Sequence, residues 1–469
     1  MTAPILLAAA AGYFLVATGV GFMLLRLAGW SRSQLAPAVA PAFGAAGLGL
    51  QLWAFGLVGI PWNPLTLLGP WVIGGLLFIP QLIPVLPSVP ARLRAALRPS
   101  WAWLPLGLAA LLVLPELTAV VLRPVVGNDA IAIWLMRARV FQDLGRVELR
   151  GLTAPARHPD YPPLFSLMTD SIWVVTGGVT QQLAKATNGV LLLSVAWAIY
   201  RGFRPVAGPA LAGVGGLALV ALPSFDPWLY SGYYLGYADF VVGCFMAISG
   251  LALFSWLRAG ESADAALALA AALLAALTKN EGLPFVVALV IVLVVASRRR
   301  LLTVDARRMV ALALPAAALV GWRVFVASRG FQSSQLQAAS LANLEPGLLT
   351  ARAVRIADFS LHLLDVIRVD YGWVVLAGLV TLELALVSRN LLARAMIALV
   401  VLQALTYALV YLLAPGDIDY WLNTSADRLT VQLLPLVLIA LLSAVAPLAR
   451  NLGIRPAVPG DAADQASTA

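Results

Sequence analysis

VGNDAIAIWLMRARVFQDLGRVELRGLTAPARHPDYPPL, residues Val126 to Leu164, interrupts a chain made almost wholly of long apolar runs. The stretch is polar, rich in Arg and Asp, and holds one of the two histidines. Asn128 and Asp129 place a turn residue and a carboxylate ahead of an apolar-basic helix, AIAIWLMRARVF. At the far end, HPDYPPL makes a stiff turn, because its prolines remove backbone donors and fix φ. The reading is a loop that carries chemistry and is positioned by the helices on either side.

Outward from that loop the chain reads as membrane. Of its 469 residues, 61% are apolar and 11% charged, against about 25% charged in a soluble domain. Runs of about 20 apolar residues recur, each long enough to span the hydrocarbon. They fall at 4–25, 36–60, 65–86, 102–122, 182–200, 206–228, 239–257, 264–279, 283–297, 309–327, 372–388, 394–414 and 429–449. The expected fold is therefore an all-α polytopic membrane protein, a bundle of about 13 transmembrane helices. The first run lacks the basic n-region and cleavage site of a secretory signal, so it is read as a spanning helix. Cys244 is alone, which excludes a disulfide within the chain. The net charge of +9 fits the Lys/Arg excess of cytoplasmic loops. No basic stretch is interleaved with aromatics as a nucleic-acid groove requires, so nucleic acid is not an expected partner.

The basic residues orient the helices. Arg26, Arg32, Arg92, Arg94, Arg98, Arg201, Arg204, Arg298 to Arg300, Arg307, Arg308, Arg389, Arg394, Arg450 and Arg455 fall on one side if the runs alternate. That side is the cytoplasm, with the N-terminus outside and the C-terminus inside. The alternation requires Leu164 to Val175, apolar but short, to be a half-embedded helix rather than a crossing. Outward connections are then 123–181, Ser224 to Ala238, Lys279 to Gly282, 328–371 and Ala414 to Arg428. TARAVRIADFSLHLLDVIRVD, within 328–371, reads as an amphipathic helix on the outer surface. Residues 451–469 read as a disordered cytoplasmic tail.

This topology gathers the notable polar groups at one rim. Ionisable groups at membrane depth are costly, so they are functional candidates. Asp129 is the candidate general base, with helix N-capping as the plainer alternative. Arg137 and Arg139 are candidates for phosphate or substrate contact, or for snorkelling to headgroups. His158, Asp160 and Tyr161 are held in a set relation by the proline turn. Asp239 opens a helix and could join Asp129 in holding a divalent ion such as Mg or Mn, although acidic residues alone assign no metal site. Tyr230, Tyr233, Tyr234 and Tyr237 around it suit an aromatic belt. Lys279 and Arg428 are cations on the side that positive-inside leaves poor, so a bound anion is an attractive partner for each. Glu281 could pair with Lys279 in a local turn.

These residues resemble the GT-C class of membrane glycosyltransferases. Asp129 matches the acidic residue early in the first outward loop of that class. His158-Pro159-Asp160-Tyr161-Pro162-Pro163-Leu164 is similar to an expanded H-P-P-L turn, and Asp239 to the second acidic position. Leu277-Thr278-Lys279 resembles the L-T-K-G turn, and Ser425-Ala426-Asp427-Arg428 a late-helix Arg motif. The likeness covers about residues 102–449 and implies three parts: additional N-terminal helices over 1–100, a GT-C-like catalytic module over 101–450, and the tail 451–469. It departs in lacking the paired-acid signature, which here is a single Asp after Asn128. The resemblance implies an inverting glycosyltransferase of a bacterial inner membrane, working on its outer face. Its donor would be a polyprenyl-phosphate sugar and its acceptor an envelope lipid, glycan or protein. Asp129 would be the base, Arg137, Lys279 and Arg428 would bind the donor phosphate, and Arg139, His158, Asp160, Tyr161, Asp239 and Glu281 would contact substrate. A transporter or flippase of lipid-linked sugars, or a lipid-linked glycan polymerase or ligase, is the competing reading. A transporter needs ionisable groups near the midplane and matching broken helices, and neither is evident here.

Overall fold

The computed structural model describes residues 2–82, 111, 114, 118, 121–125, 127–149, 152, 158–225, 236–297, 305–331, 345–362, 390–414 and 416–451, and these contain helices and turns but no strand. In chain order the helices are α1 (Ala3–Leu27), α2 (Ala36–Val58) and α3 (Pro64–Leu82), followed by a π-helical turn (Ala130–Leu135) that runs into α4 (Met136–Leu144). Next come α5 (Leu164–Thr176), α6 (Ala186–Phe225), α7 (Ala238–Ala259), α8 (Ser262–Thr278), α9 (Gly282–Ser297) and α10 (Ala306–Ser328). A helix over 346–362, here α11, precedes α12 (Leu391–Leu413) and α13 (Ile418–Asn451).

Among the described residues, 7 helical segments are long and apolar enough to cross a membrane. They lie in α1, α2, α6, α7, α10, α12 and α13. Pro64–Leu77, α5, α8 and α9 are apolar but shorter. The expected runs at 102–122, for the most part, and 372–388 lie outside the described residues. The runs expected at 182–200 and 206–228 correspond to two helical stretches within α6 that part at Gly208 (φ 77°, ψ 167°), a conformation open to Gly because it has no Cβ.

Helix α7 is the hub. Its apolar window is wholly buried, and α6, α8 and α13 pack around it. The α1–α2 pair is packed closely through small residues. A Cβ at Gly44 would fall 1.7 Å from the Ala17 carbonyl oxygen, and one at Gly21 equally close to that of Ala40. Small residues are how helices approach in lipid, where apolar tails offer no hydrophobic drive to association. Gly49 on α2 gives the same access to α5, where a Cβ would meet the Met168 backbone nitrogen at 3.1 Å. The 13 residues of α5 extend only about 20 Å, less than the hydrocarbon thickness. Leu164 to Val174 are all buried, so the segment expected to be half-embedded is packed inside the bundle.

Polar side chains collect in two layers at opposite ends of α7 and α8. At one end Arg201 Nε donates to the Gln34 carbonyl (3.1 Å), Arg258 Nη2 to Gln34 Oε1 (2.8 Å), and Ser255 Oγ to Asp264 (2.7 Å). Arg308 reaches Ser262 in the same layer. At the other end stand Asp239 and Lys279. Asp239 and Arg258, on one helix, are about 28 Å apart by helical rise. That matches the roughly 30 Å of a bilayer core. The amphipathic α11 docks over the loop between α12 and α13, where Arg352 donates to the carbonyls of Leu412 (2.9 Å) and Gly416 (3.1 Å). Its outward Arg355 pairs with Asp419 (2.6 Å) and Asp358 (2.8 Å).

Candidate functional site

The helix after Asn128 starts as a π-helical turn, Ala130–Leu135. Such turns are rare and frequently lie at functional sites. Asp129 makes no side-chain capping bond. Its carboxylate instead pairs with the Arg428 guanidinium, 299 residues away on α13. Both groups keep contact with solvent, the Asp129 side chain at 37% exposure and that of Arg428 at 23%. The guanidinium also lies over the Tyr237 ring, 5.8 Å from its centroid. Burial raises the Tyr237 hydroxyl pKa, the Asp129 carboxylate adds to the rise, and Arg428 opposes it.

A buried ion cluster lies beside this pair. Lys279 Nζ donates to Asp239 Oδ1 (2.7 Å) and contacts Glu281 Oε1 (2.9 Å). Asp239 Oδ1 also accepts from Gln432 Nε2 (2.6 Å), and Gln432 Oε1 accepts from the Tyr407 hydroxyl (2.5 Å). Gln432 stands one helical turn beyond Arg428, so one face of α13 serves both carboxylates. Burial opposes the charge on Lys279, but the Asp239 and Glu281 carboxylates more than offset it and hold its pKa above the ordinary lysine range. The expected Lys279–Glu281 pair is thus present, with Asp239 as the deeper partner.

The proline turn packs against the ion cluster, with Lys279 Nζ facing the Tyr161 ring. His158 adopts φ 46°, uncommon for a residue with a Cβ and a form of strain that concentrates at functional sites. Its ring stacks on Tyr161 (4.5 Å between centroids), and Tyr161 in turn stacks on Trp134 (5.5 Å). Lys279 Nζ sits 5.6 Å from the Tyr161 ring centroid. Burial, reinforced by the Lys279 charge, holds the His158 imidazole below its ordinary pKa, with Asp160 opposing. Asp160 Oδ2 accepts from Asn280 Nδ2 (2.7 Å), and Asn280 Oδ1 from Arg323 Nη2 (2.9 Å). The loop 279–282 and the proline turn are therefore one unit.

Two residues expected to contact substrate or its phosphate are not brought into this cluster. Arg137 is fully buried and donates to the carbonyls of Tyr161 (2.7 Å) and His158 (3.5 Å). The rings of Trp134, Phe141 and Trp322 surround its guanidinium at 5.6 to 6.0 Å. Burial lowers its pKa to about 10, with Asp160 opposing. Arg137 braces the proline turn from behind and has no path to a phosphate. Arg139 faces away, 56% exposed and paired with Asp143 (2.9 Å). Residues two apart on a helix cannot share a face, so these two arginines could never have acted together.

Among the described residues, several polar atoms at the cleft have no partner: Arg428 Nε, Glu281 Oε2 and His158 Nδ1. Buried polar atoms are ordinarily satisfied, so these are open to ordered water or a ligand. Among the described residues no three of His, Cys, Asp and Glu gather as a metal would need. Asp129 and Asp239, the pair considered for a divalent ion, both face cations instead. The residues that the sequence did not single out are Gln432, Tyr407, Asn280, Arg323 and Gln403, whose Nε2 donates to the Glu281 carbonyl (3.0 Å). The pairs Arg428/Gln432 and Gln403/Tyr407, each spaced i, i+4, were the available signal. Tyr237, expected in an aromatic belt, lies under Arg428.

No protein-family model, no curated protein and no solved structure matches the chain.

Proposed function

We propose that the chain is a membrane glycosyltransferase of the GT-C kind. It moves a sugar from a polyprenyl-phosphate donor to a cell-envelope acceptor on the extracytoplasmic face of a bacterial inner membrane. The observation that carries this reading is the Asp129–Arg428 pair at the mouth of an apolar bundle, next to unpartnered polar atoms. A donor that is half lipid and half phosphosugar needs cations at the rim of an apolar cleft. Asp239 and Lys279 stand at the ends of α7 and α8, and Arg428 at the first residue of the apolar stretch of α13, which favours a rim site over the midplane site of a transporter.

In this reading the donor phosphate competes with Asp129 for Arg428 and so frees the carboxylate. Asp129 takes the proton from the acceptor O–H as its oxygen attacks the anomeric carbon. The bond from that carbon to the phosphate oxygen breaks with inversion, and the electron pair leaves on the polyprenyl phosphate. Arg428 stabilises the charge that develops there. Lys279, already held by two carboxylates, sets the field of the cleft and the position of Asp239. Asp160 and Arg137 hold the proline turn so that His158 and Tyr161 face the sugar.

The test is transfer from synthetic polyprenyl-phosphate sugars by the purified chain in nanodiscs. Asp129→Asn is expected to abolish transfer while leaving the fold intact. Transfer at the wild-type rate in that variant would overturn the assignment. Labelling of His158→Cys from the extracytoplasmic side checks the orientation, and labelling only from the cytoplasm would reverse it.

A further inference from the structure

The polar layer at the end of the bundle opposite the cleft holds more positive charge than its own contacts use. It is built around the turn from α1 to α2. Gln34 on that turn takes up Arg201 and Arg258. Arg308 reaches Ser262, but its Nε makes no hydrogen bond and stands 3.5 Å from the Asp305 carboxylate. Arg32 on the turn and Arg307 at the start of α10 are exposed, and among the described residues neither makes a hydrogen bond or ion pair. With Arg26 from the last turn of α1, these make six arginines against three carboxylates, Glu261, Asp264 and Asp305. None of the six cations is a lysine. The arginine fork matches phosphate oxygens in shape and is more weakly hydrated than an ammonium.

The start of α10 and the α1–α2 turn share one charged surface. A Cβ on Gly29 would stand 3.4 Å from Arg307 Cδ and 3.8 Å from Arg308 Nε. What lies beneath that surface identifies its partner. Arg307, Val310 and Leu314 are spaced i, i+3, i+7 and so share one face of α10. Val310 is 63% exposed and Leu314 68%, and Val324, further along the same face, 63%. The helix is long and apolar enough to cross a membrane, so an exposed apolar stripe along it faces acyl chains. Arg307 crowns that stripe at the level where headgroups lie. Basic sites between helices at a membrane surface hold anionic headgroups. A soluble anion would account for the arginines but not for the stripe.

We propose that Arg32, Arg307 and Arg308 bind the phosphate of an anionic phospholipid in the leaflet opposite the cleft, with an acyl chain lying along Val310 and Leu314. This site is separate from the Asp129–Arg428 pair and holds whether or not the chain transfers sugar.

The experiment is native mass spectrometry of the full-length protein in detergent, titrated with dioleoyl phosphatidylglycerol, dioleoyl phosphatidylcholine or inorganic phosphate. The wild type is expected to retain phosphatidylglycerol in preference to phosphatidylcholine. Arg32→Gln/Arg307→Gln should weaken phosphatidylglycerol binding roughly tenfold, with Arg307→Lys keeping part of the affinity and Arg355→Gln, on the outward α11, leaving it unchanged. Neither Arg32 nor Arg307 has a partner to lose among the described residues, so the melting temperature should stay at the wild-type value. If the double variant melts lower, Arg307→Gln alone is read, with an expected loss of about fivefold. Unchanged phosphatidylglycerol affinity in these variants, equal binding of phosphatidylcholine, or no phosphatidylglycerol binding by the wild type overturns the inference. Displacement of the lipid by equimolar inorganic phosphate also overturns it, because the site would then be one for a soluble anion. Each of these results leaves the glycosyltransferase reading standing.

Discussion

Removing the Lys279 ammonium should be among the most destabilising single changes in the bundle. Its contact with Asp239 spans 2.7 Å, with the two side chains 6% and 2% exposed. Lys279→Met leaves Asp239 ionised and enclosed, with Gln432 Nε2 at 2.6 Å as its remaining donor. Breaking a buried pair from one side costs about 3–5 kcal/mol, while replacing both partners can be nearly neutral. The variant should therefore lose a factor of roughly 10² to 5 × 10³ in its folding equilibrium. Asp239→Asn removes one of the two charges that need compensation and leaves Glu281, so Lys279→Met/Asp239→Asn should recover part of the loss and lie above Lys279→Met in stability. The assay is reversible unfolding in mixed micelles of the wild type, both single variants and the double variant, read as a double-mutant cycle. A Lys279→Met variant within about 1 kcal/mol of wild type, or strictly additive effects, would refute the reasoning that this lysine neutralises a buried carboxylate.

Arg137→Met should destabilise by about 2–4 kcal/mol, because two carbonyls of the proline turn lose their donor and three rings lose their cation; thermal unfolding measures it, and a neutral result would mean the turn holds itself. Gly44→Ala should disrupt the α1–α2 pair, since the new methyl meets the Ala17 carbonyl at 1.7 Å, at a cost of about 1–3 kcal/mol; wild-type stability would show that the helices part freely. The lowered pKa of His158 gives a stability with a definite pH sign. The unfolded state takes up the proton first as pH falls through about 6.5, so stability declines below that point and levels off beneath the folded pKa. Unfolding at pH 7 and pH 5 for wild type and His158→Phe checks this, and an equal pH response in both would sink it.

The membrane character of the chain was legible from apolar run length, and the polar cluster from ionisable residues placed at the ends of apolar runs. Asp129, Asp239, Lys279 and Arg428 do meet, although they are distant in sequence, because the alternation of helices returns each to the same end. What the sequence obscured was the facing of individual side chains. Helical period separates Arg137 from Arg139 but does not say which one turns inward; burial against Trp322 on a distant helix decides that.

The most direct measurement separates donor binding from sugar transfer in two variants. With a polyprenyl-phosphate sugar, Asp129→Asn should bind the donor at least as tightly as wild type, because Arg428 is released, yet transfer no sugar. Arg428→Ala should bind it at least tenfold more weakly. Donor affinity untouched by the loss of Arg428, or undiminished transfer without the Asp129 carboxylate, would contradict the account.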